Sequence, residues 1–219
     1  MNDTPIGIAG FGTYFPARIE TAADLAGPTG IPADVIEHKM GLRQRHVAGL
    51  DDTVSAMASR AAQRAIEMSG VAPERIGMVI SHGSEYKDHV VWNAAGKIQH
   101  NVGAVNAFAF EVYALCAGAP IALNVARSMM QTDDRLEYAL LAAASRENDL
   151  VSPGNQRARF MFNFGTGGGA MLLQRNAHKN LVLGAAAFTD GSLSETVVVT
   201  REPEAIGSGP VANGDIYGM

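Results

Sequence analysis

One residue type with a distinctive chemistry occurs once in this chain: the cysteine at position 116. It lies in the run Phe110-Glu111-Val112-Tyr113-Ala114-Leu115-Cys116-Ala117-Gly118-Ala119-Pro120, where a strand-like segment gives way to an apolar helix. That spacing sets the thiol at a helix N-terminus, among unpaired N–H groups and at the positive end of the dipole, a setting that favours a thiolate. A thiolate attacks carbonyl carbon, so the position suits an acyl acceptor. Gly118 keeps bulk away from the sulfur, and Pro120 falls in the first helical turn, where its missing donor costs little. A small buried hydrophobe is the other reading of a lone cysteine.

Basic residues form two small clusters, Arg43-Gln44-Arg45-His46 and Arg157-Ala158-Arg159. Their size suits one phosphorylated small molecule, or a solvated charged face. The glycine-rich turn Gly165-Thr166-Gly167-Gly168-Gly169 has no Lys-Ser/Thr after it and precedes a strand, which excludes a P-loop. It reads as a place of close backbone approach. His82 and His89 stand seven apart without a third ligand at metal-site spacing. Glu111, five residues before the cysteine, either points off the apolar face or is buried with a partner.

The rest of the chain has to position these groups. It has 219 residues, 47% hydrophobic and 18% charged, long enough for a sizeable core. Seventeen basic and 22 acidic residues give a net charge of −5, no basis for a nucleic-acid or anionic-membrane partner. No run of about 18 apolar residues occurs, and Met1-Asn2-Asp3-Thr4-Pro5 is unlike a signal peptide. A single cysteine fits a reducing, cytoplasmic setting.

Apolar runs at 6–12, 77–80, 107–112, 138–143, 168–173 and 181–186 read as strands, the last two as a pair. Helices are expected at 32–39, 53–69 and about 117–130. In the second, positions 54, 57, 58, 61, 62, 65 and 66 form one apolar stripe, Asp52 or Thr53 caps the start, and Gly70 stops it. The third is apolar nearly all round, so burial on most sides is expected. Strands alternating with helices predict a largely parallel sheet covered on both faces. Residues 201–219, rich in Gly, Pro and Glu, read as a linker.

The strand–Cys-Ala-Gly–helix run resembles the nucleophile motif of β-ketoacyl-ACP synthase III, in the thiolase superfamily. Three further segments are similar in the same order: Lys39-Met40-Gly41-Leu42-Arg43-Gln44-Arg45-His46, the helix 53–69 with its Gly70 stop, and Phe164-Gly165-Thr166-Gly167-Gly168-Gly169-Ala170. The departures are Lys39 where Arg is common, Leu115 where Ala is common, and Thr166 in place of Asp.

The resemblance implies an α/β thiolase-like fold in which residues 1–200 form one half, a mixed, mostly parallel sheet between helices, of a five-layered αβαβα unit. Residues 201–219 would lead toward an absent C-terminal half. It implies that Cys116 takes an acyl group from acyl-CoA and that the group condenses with a malonyl thioester, as in fatty acid or polyketide biosynthesis. It also implies that Lys39, Arg43, Arg45 and Arg159 meet coenzyme A. No cofactor is implied beyond acyl-CoA and acyl-carrier-protein thioesters. The implied partners are acyl carrier protein, a C-terminal half or second chain, and a second copy meeting the 81–93 loop through Tyr86 and Trp92. The His and Asn that assist decarboxylation belong to the second half, and none of the six histidines here matches that position.

Overall fold

The computed structural model describes residues 4–83, 86–150, 152–155 and 161–196. Strand β1 (Ile6–Tyr14) opens the chain, followed by β2 (Ile19–Thr21), helix α1 (Ala22–Thr29), α2 (Ala33–His38) and β3 (Gln44–His46). Then come α3 (Val54–Ser69), β4 (Ile76–Ser81), α4 (Ala94–Asn101), β5 (Phe108–Glu111), α5 (Gly118–Thr132), β6 (Tyr138–Ser145) and β7 (Gly167–Arg175). Strands β2 and β3 form a separate antiparallel ribbon, and the other five make one sheet in the order β1-β7-β6-β4-β5.

The expected parallel sheet is only half realised. β4 pairs in parallel with β5 and β6, whereas β7 is antiparallel to both β6 and β1. The parallel pairs are those joined through a helix: α4 carries β4 to β5, and α5 carries β5 to β6. Among the described residues a short 3₁₀ turn, Glu147–Leu150, takes the place of a helix between β6 and β7, and the chain returns antiparallel. The strand pair expected from 168–173 and 181–186 does not form either. Leu181 makes an isolated bridge to Gly7, and residues 183–190 are exposed. With no described layer to bury it, that apolar run has nothing to hold it as a strand.

Period-two alternation divides the sheet into two faces. Val79, Tyr138, Leu140 and Leu172 join α3 and α4 in one core, while Met78, Ile80, Ala139, Leu141 and Leu173 join α5 in the other. Helix α3 starts where read: the Thr53 side chain accepts from Ala56 N–H, and Gly70 closes the helix at φ 69°. All seven stripe positions are buried. Asp88 supplies a second cap, accepting from Val54 and Ser55 N–H at 2.7 and 3.2 Å.

Helix α5 corrects the expectation of all-round burial. Gly118, Ala122, Ala126 and Met130 are buried against the sheet. Pro120, Asn124 and Ser128 are exposed, and Ile121 and Val125 are half-buried. Its apolar outer residues have no layer over them among the described residues. No helix of the described residues is long and apolar enough to cross a membrane.

Candidate active site

Ligand sites in α/β sheets gather at the carboxyl ends of the parallel strands. Here a cavity of about 760 Å³ opens at that end of β4 and β6, and β1 and the glycine-rich turn contribute to its walls. Cys116 lines it and is solvent-exposed. The residue sits in a short 3₁₀ turn, 115–117, that runs directly into the first residue of α5. The expected position at a helix N-terminus is therefore observed, and the small-buried-hydrophobe role is not. Leu115, beside the sulfur-bearing residue, has φ 47°, a left-handed conformation uncommon for leucine.

Gly118 has a different job from the one its spacing implied. A Cβ there would come 2.6 Å from the His82 carbonyl oxygen and 3.6 Å from the His82 Cβ. Its lack of a side chain lets α5 seat against the end of β4. Behind it, Val112 N–H donates to Ser81 O at 2.8 Å, extending the strand pairing beyond β5.

The glycine-rich turn makes the close approaches expected of it. A Cβ on Gly168 would lie 2.7 Å from Met57 O of α3, and one on Gly167 3.1 Å from the Phe15 ring. Gly169 faces open space and lines the cavity. Thr166 is buried; its hydroxyl donates to Asn148 Oδ1, and its N–H donates to His46 O at 2.9 Å.

The basic residues divide. Arg45, expected from the resemblance to meet coenzyme A, is committed to internal partners. Its Nε and Nη2 donate to Glu20 Oε2 at 3.1 and 2.8 Å, and its Nη1 donates to the carbonyls of Phe162 and Phe164 at 2.9 and 3.0 Å. Its side chain is 10% exposed. The guanidinium thus ties the β2–β3 ribbon to the chain entering the glycine-rich turn, because a planar fork satisfies a carboxylate and two carbonyls together. Lys39 and Arg43 are exposed, and neither lines the cavity. Arg159 lies outside the described residues.

Glu111 has the partner that burial demanded: Lys87 Nζ at 2.8 Å, with Ala94 N–H of α4 at 3.3 Å. In the 86–93 loop, Trp92 meets His89 edge-on at 5.3 Å, and Tyr86 lies under the Arg146 guanidinium at 5.4 Å. No group of three metal-ligating side chains gathers among the described residues.

Several polar residues reach the cavity without having been singled out as site residues, and three of them sit at strand ends. His82 follows β4, while Ser145 ends β6 and is followed at Glu147. Burial pushes the His82 pKa below its ordinary value, partly offset by a hydrogen bond to its own backbone. The Ser145 hydroxyl donates to Glu147 Oε2, and Glu147 Oε1 is buried without a hydrogen-bond partner. The signal for all three was position: polar residues at the carboxyl end of apolar strand runs.

An exposed cysteine before a central helix, at the carboxyl end of a mixed five-stranded sheet, is the arrangement of a thiolase-like α/β unit. The family model for 3-oxoacyl-[acyl-carrier-protein (ACP)] synthase III matches residues 110–191, a span that includes Cys116. Beta-ketoacyl-[acyl-carrier-protein] synthase III of Sodalis glossinidius (strain morsitans) is 33% identical over 175 residues, 80% of this chain and 54% of that protein. Acetoacetyl CoA synthase NphT7 of Streptomyces sp. (strain CL190) is 32% identical over 210 residues, 93% of this chain and 62% of that protein. The crystal structure of 3-oxoacyl-(acyl carrier protein) synthase III from Pseudomonas aeruginosa PAO1 superposes with a TM-score of 0.79 at 26% identity, covering 90% of this chain and 60% of that one. The chain is similar to β-ketoacyl-ACP synthase III proteins and has a thiolase-like fold. It spans 54% and 62% of the length of the two curated relatives.

Proposed function

We propose that Cys116 is the acyl-accepting nucleophile of a β-ketoacyl-ACP synthase III-like enzyme. The thiol attacks the carbonyl of an acyl-CoA, the C–S bond to coenzyme A breaks, and an acyl-S-Cys116 thioester and free coenzyme A thiol result. A malonyl thioester, on coenzyme A or acyl carrier protein, then loses CO₂, and its carbanion attacks the acyl-enzyme to release a β-ketoacyl thioester. The observation that carries this reading is the exposed Cys116 in a cavity of about 760 Å³, inside the segment matched by the family model. The names of two relatives, a β-ketoacyl-ACP synthase and an acetoacetyl CoA synthase, support this class of reaction.

The uncovered face of α5 supports a division of labour. The chain loads the acyl group, and a second α/β half or chain completes the condensing site and covers that face. Phe11, Phe15 and Leu115, exposed by 60, 56 and 53%, belong to the same open side. Exposed apolar surface of this kind favours association, so the chain is proposed to self-associate when alone, in a cytoplasmic, thiol-reducing setting. Lys39 and Arg43 remain free to meet the phosphates of coenzyme A.

Incubating the 219-residue chain with acetyl-CoA and longer acyl-CoAs and weighing the intact protein tests the loading step. The expected result is one acyl adduct that disappears in Cys116→Ala. An adduct that persists in that variant overturns the assignment. Appreciable condensation by the chain alone overturns the division of labour, as does a monodisperse 23 kDa species in light scattering for self-association.

A further inference from the structure

We propose that Leu115 is a specificity-determining residue of the loading step. Its side chain crowds the Cys116 sulfur, so that straight-chain acyl groups are accepted and acyl groups branched at the carbon next to the carbonyl are refused. The proposal rests on Cys116 being the acyl acceptor, and it names the substrate class of that site.

Neither packing nor backbone preference calls for leucine at this position. Leu115 is 53% exposed, so the core gains little from it. Its φ of 47° lies in the left-handed region, which glycine and asparagine adopt readily and leucine does not. A strained residue persists only where its surroundings hold it, and here they do. Before the turn, Val112 N–H donates to Ser81 O at 2.8 Å, and within it Ala117 N–H donates to Ala114 O at 3.0 Å. After it, Gly118 is seated so tightly on the end of β4 that a Cβ would come 2.6 Å from His82 O. The turn is fixed from both ends, so Leu115 cannot relax without displacing Cys116, the residue that follows it.

What the side chain does there follows from its reach. Adjacent Cα atoms lie about 3.8 Å apart, and Leu115 and Cys116 line the same cavity. A neighbour that close meets the first atoms of a group carried on the sulfur, not the far end of a long chain. Much of the remaining wall is small: Ala119, Ala143, Ala144, Gly167 and Gly169 line it, and Ala143 stands directly opposite Gly169 across β6 and β7. Those residues leave room for an acyl chain to run on. Leu115 sets a forked aliphatic side chain beside the sulfur, where it meets a methyl branch on the first acyl carbon. A straight acyl chain has only hydrogens at that place.

The test separates bulk from strain with three variants of the 219-residue chain. Leu115→Ala removes the bulk and keeps the strained φ. Leu115→Asn keeps a forked side chain of similar size and suits the φ. Leu115→Gly removes both. The initial rate of Cys116 acylation is measured by intact mass with butyryl-CoA and, separately, with isobutyryl-CoA. The wild type is expected to favour butyryl by about tenfold or more, the scale of one misfitted methyl group. Leu115→Ala and Leu115→Gly are expected to cut that ratio by about fivefold or more, and Leu115→Asn to keep it. A second pair of reagents asks the steric question without coenzyme A. n-Propyl and isopropyl methanethiosulfonate each pass their alkylthio group to the Cys116 thiolate, forming a mixed disulfide and releasing methanesulfinate. The ratio of their rates is expected to follow the same order across the variants.

Ratios in Leu115→Ala and Leu115→Gly that stay within about twofold of wild type for both pairs overturn the proposal. A shift shared by Leu115→Asn also overturns it, because strain and not bulk is then the cause. Loss of the cooperative urea transition in all three variants overturns it too, by making Leu115 a packing residue. If the disulfide ratio shifts and no acyl-CoA adduct forms in the wild type, the crowding by Leu115 stands and the acyl-acceptor reading falls. If adducts form and neither ratio shifts, that reading stands and Leu115 has no part in selection.

Discussion

Helices α3 and α5 lie on opposite faces of the same sheet, and the chain finishes the two faces differently. α3 buries nine of its residues, whereas α5 buries four. The strands under α3 are thinned to admit it: a Cβ on Gly10 or Gly12 of β1 would fall 2.3 or 2.2 Å from the carbonyls of Ala65 and Ala61. On the α5 side only Gly118 makes such an approach, and it does so beside the cavity. Strained Leu115, half-buried His82 and half-partnered Glu147 all border that cavity. One face is closed packing, and the other holds the groups whose local preferences are unmet, which is where chemistry is found.

The comparison can be broken most forcefully at Gly12. Gly12→Val drives a side chain into the α3 backbone and is expected to cost more than about 3 kcal/mol, read as loss of the cooperative urea transition in circular dichroism. Next, Met57→Ala on α3 is expected to cost about 2–5 kcal/mol, against less than about 1 kcal/mol for Met129→Ala on half-covered α5. Equal losses in chemical denaturation would show the two faces to be packed alike. Removing the cap with Thr53→Ala is expected to cost about 1 kcal/mol, measured in the same way.

A pH effect of known sign comes from the closed side. Burial pushes the Asp52 carboxyl up, but hydrogen bonds from Gly49 N–H, Tyr14 Oη and Arg60 outweigh it and hold it below its ordinary value of 3.8. A carboxyl lowered in the folded state adds stability above that value and loses it as the pH falls through the folded value. Asp52→Asn is expected to flatten the decline of stability below about pH 3.8, measured by denaturation from pH 7 to 2. The smallest effect is expected at Gly169, where a Cβ meets nothing within 4 Å. Gly169→Ala should stay within about 0.5 kcal/mol of wild type while lengthening acyl loading times, since the new methyl occupies the cavity.

The α3 side was legible because its signals are local. A stripe at helical spacing, a Thr cap and a Gly stop lie within eighteen residues and agree with one another. Helix α1 was missed because Gly27-Pro28 reads as a turn, although its capping box, Thr21 with Asp24, stood in the sequence. Helix α4 was missed for its brevity and for Gly96. Of the site, Cys116 was legible from the strand-to-helix transition around it. The role of Arg45 was not, because Glu20 and the carbonyls of Phe162 and Phe164 lie 25, 117 and 119 residues away in sequence.

The seat of β1 carries a consequence for how the molecule is made. Its only ladder partner among the described strands is β7, whose first residue is Gly167, and the pairing joins Ile6 to Arg175. A ribosome adding about 5–20 residues per second therefore holds β1 without its neighbour for roughly 10–30 s. Through much of that interval α3 can shelter the strand, by laying Ala61 and Ala65 against its glycines. The tight glycine contacts that close the finished sheet thus also serve as an early dock for a strand still waiting for its partner to be synthesised.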